Sequence, residues 1–136
     1  MRKKIHLRRL LRNPGTTTLA QSHLLNLGEF GIISREPGLL TLEQQESIRK
    51  LLSRRLKPVN GRYWINITYF IPLTKKAKGS RMGKGKGAFL CNKAPIKEGH
   101  LICEFMGVEE KLARELHKSL SKKLPIKTDI ITNAFI

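Results

Sequence analysis

Cysteine is nearly absent from this chain. Cys91 and Cys103 stand twelve positions apart, with no C-x-x-C pair anywhere. A structural zinc site needs about four ligands at close spacing, so a zinc scaffold is excluded, and two free thiols suit a reducing compartment. Long apolar runs are missing as well. Stretches such as Leu24–Leu25 and Ile130–Ile131 fall far short of the ~20 residues that a membrane-spanning helix requires. The basic start, Met1 to Arg12, is followed by no secretory-type apolar segment, although its Arg-rich, acid-free composition also fits an organelle transit peptide. The four histidines (His6, His23, His100 and His117) are scattered, with no spacing of the H-E-x-x-H kind, and no Ser/His pair can be assembled. Glu109-Glu110 falls at a helix start, where electrostatics account for it without chemistry. No catalytic constellation, metal site or cofactor is expected.

Acidic residues are the most telling absence. None occurs from 1 to 28 or from 71 to 97. Over the whole chain, 27 Lys and Arg face 10 acids, for a formal charge of +17, while 40% of the residues are hydrophobic. At 136 residues the chain can bury one core, and this composition is that of a folding domain rather than a basic tail. Such a charge opposes a compact state through self-repulsion unless a polyanion accompanies it. Nucleic acid, an anionic membrane and an acidic protein are the candidates, and a basic domain with this composition has the footprint of nucleic-acid binding. A membrane-surface protein would need a bulky apolar helix face left unpacked, and both apolar stripes here are needed for a core. A hydrolase or nuclease would need acids beside its basic loop, and 71–97 holds none.

The pattern along the chain predicts an α+β fold: two helices packed on a mostly antiparallel sheet, with a long basic Gly/Lys loop and a basic N-terminal arm. The arm covers 1–27 and a single domain covers 28–136. Arg2, Lys3, Lys4, Arg8, Arg9 and Arg12 give the arm its charge. It reads as a segment that becomes ordered on RNA, the alternative being a frayed, solvated terminus. Gly28 to Gly31 and Pro37-Gly38 read as turns around Ile32-Ile33. Thr41 and Gln44 have capping-box spacing, and Leu42, Ile48, Leu51, Leu52 and Leu56 form an apolar stripe, which predicts a helix over 42–56. Arg49, Lys50, Arg54 and Arg55 fall largely outside that stripe. Pro58 and Asn60-Gly61 end the helix and turn the chain.

Arg62 to Phe70 alternates Tyr63, Ile65, Ile67 and Tyr69 against Trp64, Asn66, Thr68 and Phe70, a strand with one core face. Ala88–Cys91 and Leu101–Phe105 are shorter strands joined by a turn at Glu98-Gly99. Val108, Leu112, Leu116, Leu120 and Leu124 recur every fourth residue and predict a second helix over 108–124, stopped by Pro125. A closing strand follows over 126–132.

Between the strand ending near Phe70 and the one starting near Ala88 runs an acid-free segment, Pro72 to Gly87. It carries Lys75, Lys76, Lys78, Arg81, Lys84 and Lys86, spaced by Gly79, Gly83, Gly85 and Gly87. Glycines let a main chain approach a phosphate backbone closely, and alternating lysines place cations beside successive phosphates. Arg81 can add a bidentate phosphate or guanine contact. A Walker A loop is excluded: Gly79 to Gly83 is one residue too short, and Gly85 stands where Ser or Thr is required. The dinucleotide fingerprint fails too, because Gly83, Gly85 and Gly87 run G-x-G-x-G with no long helix after them. A plain solvated turn is the remaining alternative.

Arg81-Met82-Gly83-Lys84-Gly85-Lys86-Gly87 resembles the signature of the ribosomal L-sixteen family, the universal large-subunit protein of bacteria and organelles. Further similarity follows in order: Gly28 to Gly31; Leu40-Thr41, Gln44, Glu46 and Arg49; Gly61, Trp64 and Ile65; Pro72 and Thr74; Glu104, Gly107-Val108, Glu110, Leu112, Ala113 and Arg114; and Leu124 to Thr128. The resemblance covers about 28–132. It implies a hammerhead-type α+β sandwich that binds large-subunit rRNA, touches neighbouring large-subunit proteins and has no enzymatic activity, membrane contact or homo-oligomer. It implies that the basic loop reaches toward tRNA and helps order the aminoacyl-tRNA site near the peptidyl-transferase centre. Arg81, Met82, Gly83, Lys84, Gly85 and Lys86 are then nearest the RNA of that site. Lys75, Lys76 and Lys78, the arm cations, and Arg49, Arg54 and Arg55 supply further RNA contacts.

Three departures stand out: residues 13–27 are mostly neutral where the family is densely basic, Asn66 replaces a position that tends to be basic, and Met106 stands where an acid commonly precedes Gly107. Together with a length that leaves no room for an added presequence, they suggest an organelle-encoded chain, mitochondrial ahead of plastid or bacterial. The competing function is a basic assembly factor that visits ribosomes without staying.

Overall fold

A computed structural model describes residues 25–67, 71–83 and 85–133 of the chain. The expected arm contacts at Arg2, Lys3, Lys4, Arg8, Arg9 and Arg12, and the expected strand residues Thr68, Tyr69 and Phe70, lie outside the described residues.

The elements run β1 (Phe30–Ser34), β2 (Gly38–Thr41), α1 (Leu42–Leu56), β3 (Arg62–Ile65), β4 (Ile71–Lys75), β5 (Ala88–Ile96), β6 (Leu101–Met106), α2 (Glu110–Ser121) and β7 (Thr128–Thr132). This is the α+β class that the sequence predicts, but its strands divide into two sheets. One has four strands in the order β3-β6-β1-β7, the other three in the order β2-β5-β4, and the pairs among the described residues are antiparallel.

Helix α1 starts where its cap predicts. Thr41 Oγ1 accepts the Gln44 N–H at 3.2 Å, and Gln44 Oε1 accepts the Thr41 N–H at 2.8 Å. Its inner face buries Ile48, Leu52 and Leu56, whereas Leu42, expected in the stripe, is 46% exposed. Leu42 stands in the first turn of the helix, at the end of the stripe. The chain then passes through a 3-10 turn, Lys57–Val59, and reverses at Asn60 with φ 53°. Helix α2 is shorter than 108–124 at both ends. Val108 and Leu124 still pack on the core, so the apolar period outlasts the helix that it predicts. The core joins Ile32, Ile102 and Phe105 of the first sheet to Leu40, Ala94 and Ile96 of the second, with Leu116 and Leu120 of α2 closing it. Phe30 and Phe105 stack across the β1–β6 pair at 5.8 Å.

Three local readings are corrected. Phe30-Gly31 and Gly38 lie in strands, not turns. Gly31 serves packing: a Cβ there would collide with Leu25 and Leu101. The strand from Arg62 breaks after Ile65, and Pro72 to Lys75, expected in the loop, belong to β4. The strand at Ala88 continues past Cys91 to Ile96, because β2 and β4 pair with it on its two edges and override the weak strand propensity of Asn92-Lys93-Ala94.

One buried carboxylate ties the segment before β1 to the four-stranded sheet. Glu104, 1% exposed, sits on β6. Its Oε2 accepts the backbone N–H groups of Asn26, Leu27 and Gly28 at 3.1, 2.8 and 2.9 Å, and its Oε1 accepts the Asn66 amide at 2.9 Å.

Candidate nucleic-acid interface

Strands β4 and β5 form a hairpin whose base belongs to the three-stranded sheet and whose far end, among the described residues, is two strands wide. β4 pairs with β5 from Ile71↔Lys93 to Lys75↔Ala88, while β2 pairs with β5 only from Lys93 to Ile96. The basic segment therefore projects past the third strand. Lys75, Lys78, Arg81 and Lys86 are exposed there, and Met82 is 98% exposed. Lys76 Nζ donates to the Gly83 carbonyl at 2.5 Å and folds the tip back on itself, with a turn at Ser80 N–H to Ala77 O of 3.2 Å. Lys84 lies outside the described residues.

The glycines act in two ways. Gly79, Gly83 and Gly85 hold φ values of 78°, 105° and 83°, which side chains disfavour, with open space around them. Gly87 answers to crowding: a Cβ there would lie 2.6 Å from the Lys75 carbonyl carbon and oxygen. The hairpin can close only because that position is bare.

Lys75, Lys78 and Arg81 have no acidic partner among the described residues; the ion pairs seen are Arg35–Asp129, Arg49–Glu46 and Arg114–Glu110. Cations grouped without acids on a protruding ribbon repel one another and draw a polyanion.

A second basic feature lies where α1 meets α2. Lys50, Arg54 and Arg55 of α1 and Lys123, just past α2, line a cleft of about 270 Å³ with Ser47, Leu51 and Ser119. Four cations and two hydroxyl side chains converge there, and no acid lines it among the described residues. Arg54 and Arg55 thus share a site, whereas Arg49 is turned to Glu46 at 3.0 Å. Lys50 and Lys123 are not among the RNA contacts that the sequence suggests. The i, i+4 spacing of Lys50 and Arg54 was the available signal on α1, but Lys123 joins them only through the packing of α2.

Chemistry is poorly provided for. Among the described residues, no group of three or more His, Cys, Asp or Glu could hold a metal ion. Cys103 is buried beside Glu104, and burial pushes its thiol up to about 12. No helix among the described residues is long and apolar enough to cross a membrane.

Comparison with known proteins gives the class first. The chain is 39% identical over 126 residues to the large ribosomal subunit protein uL16 of Borreliella burgdorferi (strain ZS7), covering 93% of this chain and 91% of that one. It is 44% identical over 107 residues to the protein of the same name from Azorhizobium caulinodans, covering 79% and 77%, and 36% identical over 129 residues to that of Borrelia duttonii, covering 95% and 93%. These are ribosomal proteins, a structural class and not an enzymatic one. The family model of ribosomal protein L16p/L10e matches residues 2–131, and the chain belongs to that family.

Proposed function

We propose that this chain is a structural constituent of the large ribosomal subunit, held by rRNA and by neighbouring large-subunit proteins. In this reading its β4–β5 hairpin helps order the aminoacyl-tRNA site near the peptidyl-transferase centre. The observation that carries the reading is the hairpin itself: exposed Lys75, Lys78, Arg81 and Lys86 on a two-stranded projection, within a stretch that has no acid from 71 to 97. Catalysis at such a site belongs to RNA, and the protein positions it. Arg81, Met82, Gly83, Lys84, Gly85 and Lys86 form the part of the hairpin nearest tRNA, with Lys75, Lys76 and Lys78 along its flank.

The cleft of Lys50, Arg54, Arg55 and Lys123 is a second anchor for rRNA phosphates, which leaves the hairpin free to reach outward. The arm, 1–27, adds Arg2, Lys3, Lys4, Arg8, Arg9 and Arg12 to the contacts of the 28–136 domain. The neutral residues 13–27, Asn66 and Met106 favour an organellar ribosome, mitochondrial ahead of plastid. Purification of the native chain from a bacterial cytoplasmic ribosome would refute that assignment.

Sedimentation of native subunits through gradients of rising salt tests the reading. Binding by about six phosphate contacts alone weakens steeply with salt. A constituent stays at one copy per large subunit after a high-salt wash. Release to the top of the gradient, with the washed factors, supports instead an assembly factor that visits and leaves.

A further inference from the structure

We propose that Phe89, presented with Leu90 on a bulge of the basic hairpin, is a stacking platform for an unpaired RNA base. The proposal rests on the RNA reading of the hairpin and names the part of the RNA that this surface takes.

Three of the six large exposed apolar side chains among the described residues lie on this projection, the others being Leu27, Leu42 and Val59. Met82, Phe89 and Leu90 are 98%, 49% and 55% exposed, and all three lie between Arg81 and Cys91. Single exposed apolar residues are ordinary on a protein surface, but a cluster on one projection marks a contact. The backbone explains why these two β5 residues face outward. Leu73 pairs with Cys91 and Thr74 with Phe89, so Leu90 is the extra residue of a bulge, a device that re-aims side chains. Since β2 reaches only as far as Lys93, no third strand covers this part of β5 among the described residues.

The surroundings decide what the ring meets. Directly paired residues share a face of a ribbon, and so do residues two apart along a strand. Phe89 therefore shares its face with its partner Thr74. Lys75, Lys78, Arg81 and Lys86 are exposed on the same hairpin, in a stretch of sequence that has no acid from 71 to 97. An apolar protein partner seated here would have to strip water from these cations without replacing it. An RNA strand answers both features, with phosphates for the cations and a base for the ring. A duplex hides the faces of its bases, so the fitting ligand is an unpaired nucleotide.

The test uses the full chain, a short fluorescent oligoadenylate and an RNA duplex of the same length. Wild type, Phe89→Leu, Phe89→Ala and Phe89→Trp are compared by anisotropy at fixed low salt. Phe89→Leu keeps the apolar bulk and removes the aromatic face, and circular dichroism verifies that each variant folds. The expected result is about tenfold weaker binding of the single strand for Phe89→Leu and Phe89→Ala. Duplex binding stays unchanged, and Phe89→Trp binds like wild type with extra fluorescence quenching by the bases. Equal binding of the single strand by wild type and Phe89→Leu overturns the stacking site and leaves the hairpin's electrostatic role standing. Equal loss on single strand and duplex also overturns it. If wild type binds neither RNA at that low salt, the RNA reading of the hairpin falls and this site falls with it.

Discussion

Glu104 Oε2 accepts the backbone N–H of Gly28 at 2.9 Å across 76 positions of sequence, and the bond is buried. The same oxygen takes the N–H groups of Leu27 and Asn26, so one carboxylate on β6 secures the segment that leads into β1. Loss of the carboxylate leaves these donors and the Asn66 amide without their acceptor. Glu104→Ala is expected to destabilise the fold by about 3 kcal/mol, and Glu104→Gln, which keeps one acceptor oxygen, by about 1–2 kcal/mol. Urea titration followed by circular dichroism measures both, and a change under about 0.5 kcal/mol for Glu104→Ala contradicts this role.

Stability is expected to fall with acid in two stages. His100 lies below its ordinary 6.5 because burial disfavours its charged form, which a hydrogen bond with the Asn66 backbone only partly offsets. The unfolded chain therefore takes up that proton first, and stability declines as pH drops from 6.5 toward the folded value. For Glu104, burial acts upward, but the hydrogen bonds from Leu27, Asn66, Gly28 and Asn26 outweigh it and hold the carboxyl below 4.5. Its contribution is intact above 4.5 and is lost as pH falls below that toward the folded value. Melting temperatures recorded from neutral pH downward should show both stages in wild type, with the second reduced in Glu104→Gln. An unchanged second stage in that variant assigns it to other carboxylates.

The two thiols are expected to differ in reactivity. Cys91 is half-buried on the hairpin, whereas Cys103 is fully buried and its thiol is pushed up to about 12. An aromatic disulfide reagent at neutral pH should modify Cys91 at least ~100-fold faster than Cys103, which reacts only on opening of the fold. Comparable rates would place Cys103 outside the core.

Charge removal should register in the salt dependence of RNA binding. Replacing Lys75, Lys76 and Lys78 together by alanine removes up to three phosphate contacts and lowers the slope of log K against log salt by roughly 2, at ~0.7 per contact on a single strand. Arg54→Ala with Lys123→Ala, in the cleft, should lower it by roughly 1.5 on rRNA fragments. A slope unmoved by the cleft pair separates that cleft from the interface.

In particles, Arg81→Ala with Lys84→Ala is expected to reduce peptide synthesis per subunit more than the yield of subunits. Equal losses would assign the hairpin tip to assembly rather than to the tRNA site.

The sequence made the helices and the hairpin tip legible, because their signals are local. Thr41 and Gln44 mark the start of α1 through adjacent hydrogen bonds, and Leu116 and Leu120 mark the buried face of α2 by period alone. The basic tip shows itself by the absence of acids. What stayed hidden depends on distant partners. Gly31 reads as a turn until Leu25 and Leu101 crowd it, and Asn92 to Ile96 form a strand only because β2 and β4 flank them. Likewise, the burial of Glu104 depends on distant residues 26–28, whose N–H groups wrap its carboxylate. The cleft needs α2 beside α1 before Lys123 meets Arg54.

Directed hydroxyl-radical probing from the hairpin tip tests the central claim most directly. An iron chelate is tethered to Met82→Cys, 98% exposed in the parent chain, in a Cys91→Ser background, and the protein is assembled into large subunits. Strand breaks clustered in the rRNA of the aminoacyl-tRNA site are the expected result. Breaks confined to remote rRNA, or none above a control lacking the tethered cysteine, would contradict the placement of the hairpin and the function proposed from it.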